Sequence, residues 1–116
     1  MENIFIDTNI DFEPLPEFIK LTGVMFEDRQ NIISQLELNQ SVYFERDPFN
    51  EHDRYAIKVI TSYEGKDVQI GWIPKLTAQS LAPEIDSGIK WSGVVGKIIG
   101  GNDKNYGILI KLFLEA

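Results

Sequence analysis

A mainly β fold with two short helices, closing into a small, partly closed barrel of about six strands, is what this sequence predicts. Three observations lead there. Apolar and polar residues alternate over short runs, as at Ser41-Val42-Tyr43-Phe44-Glu45-Arg46, which is the pattern of a strand with one buried face. Turn-forming residues separate these runs, notably Pro48, Glu64-Gly65 and Gly100-Gly101-Asn102-Asp103. Only two segments carry helical spacing, and both are short. With 116 residues, 43% of them hydrophobic and 25% charged, the chain is one globular domain able to bury a core without disulfides or metal staples.

The elements follow in order. Pro14 and Pro16 punctuate a lead-in, and residues 18–25 alternate as a first strand in which Gly23 permits a bulge or a close backbone approach. Asp28 is placed to cap a helix over 29–36, whose Ile32, Ile33 and Leu36 share one face. Ser41 to Arg46 forms the second strand, and Pro48 ends it because proline cannot donate to a ladder. Residues 55–62 form the third, and a turn at Glu64-Gly65-Lys66-Asp67 returns the chain over 68–73. Pro74 suits the first turn of a second helix. Leu76, Leu81 and Ile85 are its expected buried stripe, Pro83 its expected break and Gly88 its end. Residues 89–99 and 106–114 make a final hairpin joined by the loop 100–105.

The formal charge is −7, which taken alone opposes binding to phosphate. Its distribution changes that reading. Glu2, Asp7, Asp11, Glu13 and Glu17 lie in residues 1–19, which hold no Lys or Arg; five of the 18 acids thus sit there, leaving 13 acids against all 11 bases in 20–116. The chain therefore divides into an acidic N-terminal arm, 1–19, and a nearly balanced domain, 20–116. The absence of cysteine excludes a disulfide framework and thiolate zinc sites. The first residues, with no basic stretch ahead of Ile4-Phe5-Ile6, do not read as a signal peptide. No apolar run is long enough to span a bilayer. A cytoplasmic protein, without membrane or cofactor, fits these features.

Function concentrates in the loop after Glu45. A tight hairpin needs about two loop residues. Here Asp47-Pro48-Phe49-Asn50-Glu51-His52-Asp53-Arg54 carries both charge signs and the only histidine. Asn50 and Asp53 can fold such a loop by accepting bonds from nearby backbone N–H groups. The same stretch, RDPFNEHDRYAIKV from Arg46 to Val59, resembles the REPxNPYDxNAIxV signature of the HIRAN domain family. The flanks agree: Leu21-Thr22-Gly23-Val24-Met25-Phe26 before it, Gln69-Ile70-Gly71-Trp72-Ile73-Pro74-Lys75 and Leu81-Ala82-Pro83 after it. Several motifs in the right order over roughly residues 20–114 make the resemblance specific.

The resemblance implies an OB-like or SH3-like barrel and a non-catalytic module that binds single-stranded DNA, with the 3′ end as the feature read. By matching position, it implies that Phe26 stacks on a terminal base and that His52 adds a second stacking wall. Asp53 accepts a hydrogen bond from the 3′ hydroxyl, and Lys75, with nearby Arg29, meets phosphate. Tyr106 stands at the position of an aromatic near the end-binding pocket, and Asn50 shapes the loop with ligand contact secondary. Arg46 matches the signature and is expected to brace the loop through Asp47 or Asp53. The chain departs from the family pattern at Glu51 (usually Pro), His52 (usually Tyr), Tyr55 (usually Asn) and Met25, where many members carry a base.

Other classes are weaker. One histidine, no cysteine and no Gly-x-Ser-x-Gly turn leave no nucleophilic triad, and no Gly-rich phosphate loop is present. Two alternatives to DNA binding stand: a protein-interaction module, and a metal-dependent nuclease using Glu45, Asp47 and Asp53.

Overall fold

The computed structural model describes residues 15–26 and 28–115. The acidic stretch before Leu15 lies outside the described residues. The elements are β1 (Phe18–Lys20), α1 (Arg29–Ile33), β2 (Ser41–Arg46), β3 (Ile57–Tyr63), β4 (Lys66–Trp72), α2 (Lys75–Asp86), β5 (Trp91–Gly101) and β6 (Lys104–Leu114). All six strands form one antiparallel sheet in the order β1-β6-β5-β2-β3-β4. Its two edges meet at a single point, where Thr22 and Trp72 exchange backbone hydrogen bonds of 3.0 and 2.9 Å. The sheet is curled into a barrel and only partly closed.

Alternation sets which face turns inward. Ile57, Val59 and Thr61 of β3, with Ile108, Ile110 and Leu112 of β6, point to the core, where they meet Ile19, Val42, Ile70 and Val95. Each such aliphatic side chain contributes about 1.5–3 kcal/mol by leaving water. Thr61 is the polar member of this set. Its hydroxyl donates to Ser41 O at 2.8 Å and accepts from Gln40 Nε2 at 3.0 Å, so its burial leaves no bond unmade.

Several expected elements change at their ends. The first strand stops at Lys20, two residues before the bridge at Thr22. Gly23 then turns the chain at φ +66, where a Cβ would lie 2.6 Å from Trp72 Cδ1. Asp28 makes no side-chain cap, and α1 ends at Ile33. Ile33 and Leu36 are buried and Ile32 packs beside them. The loop expected over 100–105 is a two-residue turn: Asn102 (φ 51) and Asp103 (φ 74) adopt the left-handed pair that matches strand twist, and Gly101 pairs with Lys104. Glu64 (φ 50) and Gly65 (φ 79) do the same between β3 and β4.

The second helix corrects two expectations. Leu76 is 66% exposed, and the buried face is Ala78, Leu81 and Ala82. Five residues separate Leu76 from Leu81, a rotation of about 140°, so the two cannot share a face. Pro83 does not break the helix. The N–H it lacks would have met the carbonyl of exposed Gln79, which water can serve. The end is fixed instead by Ile89 N–H to Glu84 O and Gly88 N–H to Ile85 O, both 3.0 Å, a Schellman arrangement around left-handed Gly88. Among the described residues, no helix is long and apolar enough to cross a membrane.

Candidate functional site

Ten residues, Asp47 to Ala56, connect β2 to β3, and hydrogen bonds fold them back on themselves. Asp47 N–H donates to Ala56 O at 3.0 Å, which brings the loop's ends together. Asn50 is its hinge. Its amide donates to Asp47 Oδ2 at 3.1 Å, while its Oδ1 accepts from the backbone N–H groups of His52 at 2.9 Å and Asp53 at 3.1 Å. Asp53 Oδ1 accepts from Tyr55 N–H at 2.9 Å, and its Oδ2 has no partner among the described residues.

Arg46 pins this loop to α2. Its Nε and Nη2 donate to the two carboxylate oxygens of Asp86 at 3.0 and 3.3 Å. Nη1 donates to Ala56 O at 2.7 Å and Nη2 also to Arg54 O at 2.9 Å. The sequence pointed to Asp47 or Asp53 as the carboxylate partner; the structure puts Asp86 there. Asp47 and Asp53 already serve Asn50 and Tyr55, and the last turn of α2 brings Asp86 to the free edge of the guanidinium.

The loop and the start of α2 enclose a groove of about 400 Å3. Asn50, His52, Asp53 and Lys75 line it together, with Thr22, Ala56, Trp72 and Ile73. Lys75 is the first residue of α2, is exposed and makes no ion pair among the described residues. The His52 side chain is 86% exposed, with Nε2 3.6 Å from Glu51 Oε1. Trp72 and Thr22 stood in the sequence only as flanks of the motif. The indole N–H of Trp72 has no acceptor among the described residues, so the groove holds a donor, a cation, an aromatic face and an acceptor oxygen.

The remaining site residues lie outside this groove's lining. Phe26 is 61% exposed at the end of the turn that starts at Gly23. Arg29 is 9% exposed: Nη1 donates to Gly23 O at 2.7 Å and Cζ lies 5.7 Å from the centre of the Phe26 ring. It holds both ends of the turn that carries Phe26. Tyr106 borders a second groove, with Lys20, Met25 and Lys104. Gln30 clamps its backbone, accepting from Tyr106 N–H at 2.7 Å and donating to Tyr106 O at 2.9 Å. Phe49, which sequence reasoning passed over, is 95% exposed at the loop tip.

The carboxylates of the nuclease alternative do not converge. Glu45 pairs with Lys58 at 3.6 Å, Asp47 takes the Asn50 amide and Asp53 the Tyr55 N–H. Among the described residues, no three His, Cys, Asp or Glu side chains gather as metal ligands.

Known proteins place the chain. A protein from Lactobacillus plantarum of known crystal structure shares the fold, with a TM-score of 0.64 at 20% identity over 84% of this chain and 92% of that one. The HIRAN domain of human HLTF superimposes with a TM-score of 0.56 at 25% identity, over 84% of this chain and 74% of that one. The Fanconi-associated nuclease 1 homolog of Arabidopsis thaliana is 34% identical over 79 residues. Those residues are 67% of this chain and 8% of that protein, so the chain spans less than a tenth of this relative's length. The family model for the HIRAN domain matches residues 18–116, from the first residue of β1 onward, and this chain belongs to the HIRAN domain family.

Proposed function

We propose that this chain is a non-catalytic nucleic-acid-binding module that takes single-stranded DNA into the groove between the 47–56 loop and α2, and reads its 3′ end. One observation carries this reading: Asn50, His52 and Asp53 from one segment and Lys75 from another line a single groove beside Trp72. Stacking suits a reader of strand ends because every base has a π-face, and each stacked base contributes about 1–3 kcal/mol. His52 and Phe26 are exposed and supply such faces. Lys75 meets phosphate. Asp53 keeps Oδ1 on the Tyr55 N–H and offers Oδ2 to the terminal hydroxyl. Arg29, nine-tenths buried, acts through the ring it supports. Asn50 holds the loop in the shape that aims the other two.

The test is fluorescence anisotropy with labelled single-stranded oligonucleotides ending in a free 3′ hydroxyl or a 3′ phosphate, at low and physiological salt. The hydroxyl form binds tighter by roughly tenfold, since a terminal phosphate would face the Asp53 carboxylate. Asp53→Asn keeps an acceptor for the Tyr55 N–H and removes the charge, so it narrows that difference while leaving the fold intact. Failure of wild type to bind either oligonucleotide at low salt retires the reading. A protein-interaction module is the second reading. Phe18, Tyr43 and Phe113, exposed and outside the groove's lining, favour it.

A further inference from the structure

Met25 and Tyr106 border a second groove, also of about 400 Å3, with Lys20, Ile99, Lys104 and Asn105 among its walls. Its chemistry is unusual for this molecule. The chain carries −7 overall, yet among the described residues the groove's lining contains two lysines and no acid. Lys58 and Lys111 make ion pairs with Glu45 and Glu17, whereas Lys20 and Lys104 make none among the described residues. Two lysines in the lining of a mostly apolar trough select an anionic occupant that also carries flat apolar surface. Tyr106 supplies a fixed ring for such an occupant. Gln30 holds its backbone, and the ring lies close enough to Gly101 that a Cβ there would meet it at 3.1 Å.

The two grooves share a wall. Thr22 lines the first; Val24 and Met25, two and three residues on, line the second, and the exposed ring of Phe26 follows at once. The two linings thus follow one another along a single turn, and Lys20 and Lys104 belong to the second of them.

We propose that the second groove binds the continuation of the same nucleic-acid strand, with Lys20 and Lys104 on its phosphates and Tyr106 beneath a base. The proposal rests on the single-strand reading of the first groove, and it predicts a binding site longer than that groove alone. Oligonucleotides of three and of ten nucleotides separate the two. Wild type binds the longer one tighter by roughly tenfold at low salt. The double variant Lys20→Gln/Lys104→Gln, whose side chains stay long and polar, loses that gain and keeps its affinity for the three-nucleotide ligand. Because each phosphate contact on a single strand contributes about 0.7 to the salt slope, the slope for the ten-nucleotide ligand flattens by about 1.4. An unchanged melting temperature establishes that the variant is folded. Equal affinity and equal slope for wild type and variant would overturn the second groove while leaving the first standing. No binding of either ligand by wild type would overturn both. A polyglutamate peptide bound more tightly than the ten-nucleotide ligand, and released by the same two substitutions, would reassign the groove to an acidic protein.

Discussion

The two grooves flank one turn and differ in what their polar groups are committed to. The first is walled by a ten-residue loop whose shape depends on side chains: Asn50 makes three of its bonds and Arg46 four. Most of its polar groups are therefore committed inward, leaving Lys75, the His52 ring, the Trp72 N–H and one oxygen of Asp53 for a ligand. The second lies along the β5–β6 hairpin beside β1 and the turn after it, where the Gln30 side chain bonds the backbone of Val24 and Tyr106, and its lysines make no ion pair among the described residues. A groove held by side chains fixes a few donors and acceptors closely, which is what recognition of a particular group requires. A groove whose cations hold nothing in place leaves its charges free, which is what attraction of a repeating polyanion requires. Substitutions that break one construction should spare the other.

Arg46→Ala gives the largest expected effect. It removes both bonds to Asp86 and those to the carbonyls of Arg54, which is exposed, and Ala56, which keeps the Asp47 N–H. The arginine side chain is 13% exposed, while Asp86 is 54% exposed and can be rehydrated, so the cost lies in the lost charge-assisted ties between the loop and α2 and in the space the side chain leaves. A loss of about 2–4 kcal/mol in urea unfolding is expected. Arg46→Lys rescues little of it, because one ammonium cannot serve a carboxylate edge and two carbonyls at once. Three-nucleotide binding falls with the loop, and the second groove's share of the salt slope remains. Wild-type stability in Arg46→Ala would show that the loop is held by its internal bonds alone.

Gly100→Ala is the matching break in the second groove. Gly100 has φ +89, and a Cβ there would stand 2.0 Å from Asn105 O, so the strand cannot keep its bulge. Strain of this kind costs about 1–3 kcal/mol. Thermal unfolding checks the magnitude. Amide chemical shifts check the location, with changes expected around 99–107 and none in the 47–56 loop. Shifts that reach the loop would mean that the two walls are mechanically coupled.

This division also explains what the sequence disclosed. Strand 41–46 and the Glu64-Gly65 turn were legible because their signals are local: alternation, and residues tolerant of positive φ. The family motif placed Asn50, His52 and Asp53 in one short segment, and they line the groove together. Lys75 joined them through the resemblance rather than through any local pattern. What escaped was long-range. Asp86 lies forty residues from the arginine it pairs with. Lys20 and Lys104 sit on opposite ends of the chain, and only the pairing of β1 with β6 brings them to one trough. The loop expected over 100–105 failed for a related reason. Two glycines read as a connection, whereas the ladder absorbs them as a bulge and a pairing residue.

The smallest expected effect tests where the first groove ends. Phe49 occupies a position the family signature leaves open, at the tip of the braced loop and 95% in water. It makes no contribution to the core, so Phe49→Ala should leave stability within about 0.5 kcal/mol of wild type. It is absent from the groove's lining, so three-nucleotide affinity should change by less than about twofold. Both outcomes would confine recognition to the groove itself, where side-chain bonds fix each group. A larger loss of affinity with stability unchanged would put the Phe49 ring on the ligand. The loop would then act through an exposed aromatic rim as well as through its hydrogen-bonded interior, and the contrast between a groove that reads and a groove that attracts would have to include a third, apolar contribution.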